Sequence, residues 1–216
     1  HEVLTIDSSE SGFDVSNPTF MGVSDSWKNS PILKNKKFDR LRVKNKFFTK
    51  EYDRDGKLLY LEPFFVDVRF GFTQGKKKLL DQYRLSTGAI VQILQLEGDV
   101  GYVYEIQIPE VNMSFLDLMK LHDEIELFKE SGQTTNDIIK RWYLDYGILE
   151  HLLFDEKVLE ININPPSHKT AMRIVHADYD ECISNIYPSD DLINYLSTRL
   201  KITTGRPLNK AQPQID

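Results

Sequence analysis

One cysteine, Cys182, stands among 216 residues, so an internal disulfide is impossible, and a lone thiol suits a reducing compartment. The expectation is a cytoplasmic protein. Long apolar runs are missing as well, since no stretch approaches the ~20 residues a helix needs to cross a bilayer. Residues 1 to 17 hold acids and serines where an export signal needs a basic start and an apolar run. No export signal is expected, and any service to a membrane is from its surface. A first residue of His instead of Met points to a piece of a longer protein.

Catalytic motifs are also scarce. The five histidines are scattered, with no H-x-x-x-H or H-E-x-x-H pair, and one cysteine builds no thiolate zinc site. Phosphoryl transfer requires G-x-x-x-x-G-K-[ST], in which the backbone cradles phosphates, Lys reaches the terminal ones and a hydroxyl holds Mg²⁺. Gly71 to Lys77 is a near miss, one residue short, with Lys77 where the hydroxyl belongs. It reads as a lysine-rich hairpin turn between strands. His151, beside Leu152 and Leu153, reads as a core-edge or surface histidine. Asp123, Glu124 and Glu126 read as the solvated face of a helix, and Cys182, in a strand without a basic neighbour, as a buried thiol.

What the chain does contain is a core's worth of apolar residues, 40% of the sequence, and a net charge of −6 that is unevenly spread. Between positions 34 and 50, Lys34, Lys36, Lys37, Arg40, Arg42, Lys44, Lys46 and Lys50 face a single acid, Asp39. Interleaved with Phe38, Phe47 and Phe48, these cations suit an acidic partner face or an anionic lipid surface, while the acidic remainder argues against specific nucleic-acid binding. The plainer alternative is a sheet edge guarded by lysines.

Patterning predicts an α+β chain with a β-rich N-terminal part, a helical connector, and a small three-stranded sheet with packed helices. Residues 1–57 form an extended arm carrying the lysine-rich segment, with Phe13, Phe20 and Trp27 pinning it. Residues 58–113 form a β-rich subdomain with strands over 64–72, 88–96 and 102–108, the last two joined by the turn 98–101. Residues 114–146 are the connector: Ser114 caps a helix with Leu118, Leu121, Ile125 and Phe128 on one face and Gly132 at its end, and Thr135 starts a second. Residues 147–216 form a separate α/β module, with the boundary near 111 to 116. Its first strand, 158–163, turns Leu159, Ile161 and Ile163 to one side. Others follow over 172–175 and 182–187, then a helix from Ser189, with Asp190 and Asp191 in its first turn, to Gly205.

The order of features in the last third resembles a known family. Tyr143, Asp145 and Gly147 precede Leu152-Leu153-Phe154-Asp155, then Leu159-Glu160-Ile161-Asn162 and Pro165-Pro166, then His176, Tyr179 and Asn185-Ile186, and finally Gly205 and Pro213-Gln214-Ile215-Asp216. Over residues 138 to 216 this is similar to the module ahead of the motor domain in secretion ATPases of type II secretion, type IV pili and archaella, with the archaeal branch nearest. The resemblance implies the N-terminal regulatory and coupling region of a hexameric ATPase, with ATP and Mg²⁺ held in the parent protein and no cofactor in this chain. Partners would be its own motor domain, neighbouring subunits and a membrane platform protein, at the inner face of the cell membrane. Arg206, after Gly205 in the stretch leading to the motor, is the candidate nucleotide-facing or inter-domain contact, and Lys34 to Lys46 the candidate partner surface. Two other readings stay open: a stand-alone interaction module, and an anionic-membrane or nucleic-acid binder.

Overall fold

Short runs of alternating apolar and polar residues draw twelve segments among the described residues into strands. The computed structural model describes residues 3–7, 39–44, 46–98 and 101–205, and among these the fold is α+β, with two six-stranded sheets. The first sheet contains β1 (Val3–Asp7), β2 (Arg40–Lys44), β3 (Phe48–Asp53), β4 (Leu58–Pro63), β5 (Val68–Gly71) and β12 (Ile186–Pro188), neighbours in that order. The second contains β6 (Lys77–Arg84), β7 (Ile90–Leu96), β8 (Tyr102–Gln107), β11 (Asp180–Ser184), β10 (Arg173–His176) and β9 (Val158–Asn162), again in that order. Four helices accompany them: α1 (Phe115–Ser131), α2 (Asp137–Ile139), which widens into a π turn over Lys140–Leu144, α3 (Ile148–Leu153) and α4 (Asp190–Thr204). None of the described helices is long and apolar enough to cross a membrane.

Local chemistry sets the helix ends. Ser114 accepts the Asp117 N–H and Gly132 closes α1 in the left-handed conformation, with Leu118, Leu121 and Ile125 buried. Asp123, Glu124 and Glu126 are exposed, as an amphipathic helix requires. Ser189 accepts the Leu192 N–H to start α4, and Gly205 ends it in the same left-handed way. The second helix begins at Asn136 and not at Thr135. The Asn136 amide oxygen takes the N–H groups of both Ile138 and Ile139, and asparagine is the stronger cap.

The predicted boundary near 111 to 116 is not where the molecule divides. β8 pairs in parallel with β11, Tyr102 to Cys182 through Tyr104 to Ser184, so strands from 77–107 and 158–184 share one sheet. β12 likewise joins β5 in the first sheet, and the arm supplies β1 to β3. A single apolar core runs through Phe70, Val91, Ile106, Ile174 and Leu192. The physical reason is an edge: β9, β10 and β11 alone would leave β11 with unpaired backbone groups, and β8 takes them.

Two other expectations change. The strand expected over 182–187 breaks into β11 and β12, and the one expected over 64–72 begins only at Val68. Leu159, expected inside, is 67% exposed, because β9 is the last strand of its sheet and has a neighbour on one side only.

Candidate functional site

Asp155 follows α3 directly, at the end of the Leu-Leu-x-Asp run, and is almost fully buried. One carboxylate oxygen accepts the hydroxyl of Tyr83 on β6 at 2.8 Å and that of Tyr104 on β8 at 2.7 Å. The other accepts the Lys157 N–H at 3.0 Å. The Tyr83 hydroxyl also lies 3.1 Å from Nε2 of His176 on β10, whose Nδ1 receives the Asp178 N–H at 3.1 Å. A backbone N–H only donates, so Nδ1 is the acceptor and Nε2 carries the proton. The chain therefore runs His176 to Tyr83 to Asp155, with Tyr104 joining from the core.

Burial sets the charge state of this chain. It lowers the His176 pKa below 6.5, against the pull of Asp155, and raises both phenols well above 10, with Asp155 adding to the rise. The imidazole is neutral and the phenols keep their protons. Tyr179 packs its ring 5.2 Å from that of His176. At the rim, Lys157 bridges Asp81 at 3.0 Å and Asp178 at 3.1 Å, and lies 4.8 Å over the Tyr83 ring. Each hydroxyl and ring N–H donor in the chain has its acceptor. The network fastens the last third of the sequence to β6 and β8.

Asn185 makes the second fastening. Its side chain imitates a strand backbone, accepting the Ile106 N–H and donating to the Ile106 carbonyl, each at 2.9 Å. Its own carbonyl accepts the Gly71 N–H at 2.9 Å. One residue thus ends β11 in the second sheet and delivers β12 to the first. Gly71 permits that approach, since a Cβ there would lie 2.5 Å from the Tyr187 ring.

A different polar cluster forms around Glu110, in the turn Pro109–Asn112. Its carboxylate, fully buried, pairs with Arg141 of the π turn and lies 3.4 Å from the Trp142 indole nitrogen. His151 of α3 places Nε2 at 3.6 Å, beyond hydrogen-bond reach, and Nδ1 at 2.8 Å from the Thr87 hydroxyl. Burial pushes the Glu110 pKa up, but His151 and Arg141 outweigh it and hold the carboxyl below 4.5. Glu110 Oε2 and His151 Nε2 have no hydrogen-bond partner. His151 is thus a fully buried histidine, not one at the core edge or surface: α3 packs it inward beside Leu152.

The remaining expected residues lie apart from both clusters. Arg40, Arg42 and Lys44 point outward from β2 while Leu41 and Val43 point in, and Lys46 lies over the Phe47 ring at 4.7 Å. Arg42 binds Glu51 through two guanidinium nitrogens at 2.6 and 2.9 Å. Lys34, Lys36, Lys37 and Arg206, with Phe13, Phe20 and Trp27, fall outside the described residues. The near-miss loop is not a hairpin, because it carries the chain from β5 in one sheet to β6 in the other, and Lys77 pairs with Glu105 at 2.8 Å. Cys182 is buried, which raises its pKa to about 11. Sequence reasoning missed Tyr83, Tyr104 and Glu110. The one available signal was a pair of tyrosines on the core-facing side of strands otherwise lined by Val91, Ile93 and Ile106. Among the described residues no group of three or more His, Cys, Asp or Glu side chains is placed to hold a metal ion. Neither a family model nor a curated protein matches the chain.

Proposed function

We propose that this chain is the N-terminal regulatory and coupling region of a hexameric secretion ATPase of the archaeal branch, powering protein secretion or the assembly of a pilus or archaellum. The observation that carries the reading is the meeting of Asp155 with His176 through Tyr83. These two residues belong to the Leu-Leu-x-Asp and His-x-x-Tyr runs that carry the family resemblance, and pairing of β9 with β10 brings the two runs together. Convergence of motif members on one buried cluster supports reading them as parts of one unit. The role is coupling: a rigid module shifts as a body against a motor that holds ATP and Mg²⁺. Arg206 is proposed as its contact toward nucleotide, since a guanidinium reads phosphate charge directly. The outward cations of β2 are proposed as the face toward a membrane platform protein, which sets the protein at the inner face of the cell membrane.

The coding sequence past Asp216 supplies the test. Continuation into a phosphate-binding loop, with a purified hexamer that hydrolyses ATP and slows on Arg206→Ala, supports the reading. A reading frame without that loop overturns it in favour of a stand-alone interaction module.

A further inference from the structure

Across the first sheet the backbone register lines up Val43, Lys50, Leu61, Phe70 and Ile186, one from each of β2, β3, β4, β5 and β12. Four of the five are buried apolar residues. The fifth is a lysine. Lys50 is half-buried, its Nζ lies 4.8 Å over the Phe48 ring, and burial alone lowers its pKa, with no charged partner contributing. No carboxylate among the described residues pairs with it. The ammonium itself stays open to water, while the stem is covered by the apolar neighbours of the sheet.

Lys50 borders a cavity of about 290 Å³ between the first sheet, β7 and β8, and the turn after β8. That volume sits at the lower end of small-molecule pockets, roughly 300 Å³ and above. Leu58, Leu61, Phe70, Phe72, Val111 and Met113 supply its apolar wall, and the carboxamides of Gln92 and Asn112 border it. Glu105 also lines it, but its charge is answered by Lys77 at 2.8 Å. Among the described residues the cavity therefore presents one cation without a carboxylate partner against apolar walls, with neutral hydrogen-bonding groups beside it.

We propose that this cavity binds a small organic anion, with a carboxylate or phosphate-ester head held by Lys50 and a flat apolar body lying against Phe70 and Phe72. The site lies within this chain and stands whether or not a motor domain follows. Its head-group chemistry is that of a charge-assisted hydrogen bond to an ammonium, and its selectivity against neutral molecules comes from the same contact.

Two probes test it on the intact chain: 3-phenylpropionate for the carboxylate and phenyl phosphate for the phosphate ester, titrated by protein-observed NMR beside uncharged 3-phenylpropanamide. The expected result is saturable binding of at least one anion at about 1 mM or tighter. Lys50→Met should weaken it at least about fivefold, as loss of one charge-assisted contact implies, while Lys78→Met, an exposed lysine on β6, leaves it unchanged. Because a variant at a half-buried position can misfold, the bound anion should also protect the Lys50 amine of the unaltered protein from acetylation, read by peptide mass spectrometry. No saturable binding by either anion, an amide that binds as tightly, a smaller change in Lys50→Met, or an unprotected Lys50 each overturns the proposal.

Discussion

The Asp155 and Glu110 clusters each bury a carboxylate near a histidine, yet they are built by opposite means. Asp155 is met by neutral donors, two phenols and a backbone N–H, and the histidine behind them is held uncharged. Glu110 is met by a guanidinium, and one oxygen of it and the facing imidazole nitrogen stay unpartnered. The first cluster is a neutral-donor network around one anion. The second is a buried ion pair whose partners cannot be removed singly without stranding a charge. Stability should therefore depend more steeply on the second, although the first carries the residues of the recognisable motifs.

The largest effect expected is that of Arg141→Met, which leaves Glu110 buried without its cation and should cost about 3–5 kcal/mol in urea denaturation. Glu110→Gln added to Arg141→Met should recover part of that loss. A single variant within 1 kcal/mol of the unaltered protein, read against the ~1 kcal/mol of an ordinary hydrogen bond, would erase the contrast between the clusters. Tyr104→Phe removes one of the phenols from Asp155 and should cost about 1.5–3 kcal/mol, the range for a hydrogen bond to a charged group. The same measurement on Tyr83→Phe should add loss of the His176 contact. A smaller effect, about 1 kcal/mol, is expected for Asn136→Ala, which uncaps the short helix leading to Arg141. Thermal melting checks it, and Asn136→Ser should restore most of the loss.

The smallest signal is the pH dependence. The folded pKa of His176 lies below 6.5, so between that value and 6.5 the unfolded chain binds a proton that the folded one does not. Stability should fall as pH drops through 6.5. Glu110 acts in a lower window, because its folded pKa lies below 4.5: its contribution is intact above 4.5 and disappears as pH falls through the folded value. Urea melts from about pH 7.5 to 5 should show the first loss, and His176→Gln should flatten it. A slope that survives His176→Gln would assign the titration to another group.

Local signals were legible wherever one residue's own chemistry decides. Ser114 with Asp117, Gly132, Ser189 with Asp190, and Gly205 each mark a helix end in the sequence and do so in the fold. The motif residues Asp155, His176 and Asn185 were also visible as a string. Their partners were not, because Tyr83 and Tyr104 sit 72 and 51 positions away from Asp155, and no spacing rule reaches across such a distance. Glu110 gave no signal at all: an acid after a proline reads as a turn until Arg141 is brought to it.

By itself the sequence determined the α+β class, the caps of the two long helices and the inward burial of Cys182, since each follows from periodicity or from hydrogen bonding within a few residues. Only the tertiary structure decided that β8 joins β11, that the chain changes sheets at Asn185, and that one core unites what patterning divides near residue 113. Strand pairing is a contest among edges with nearly equal backbone chemistry. Its outcome depends on which apolar faces can be buried together, a property of the assembled chain and not of any segment.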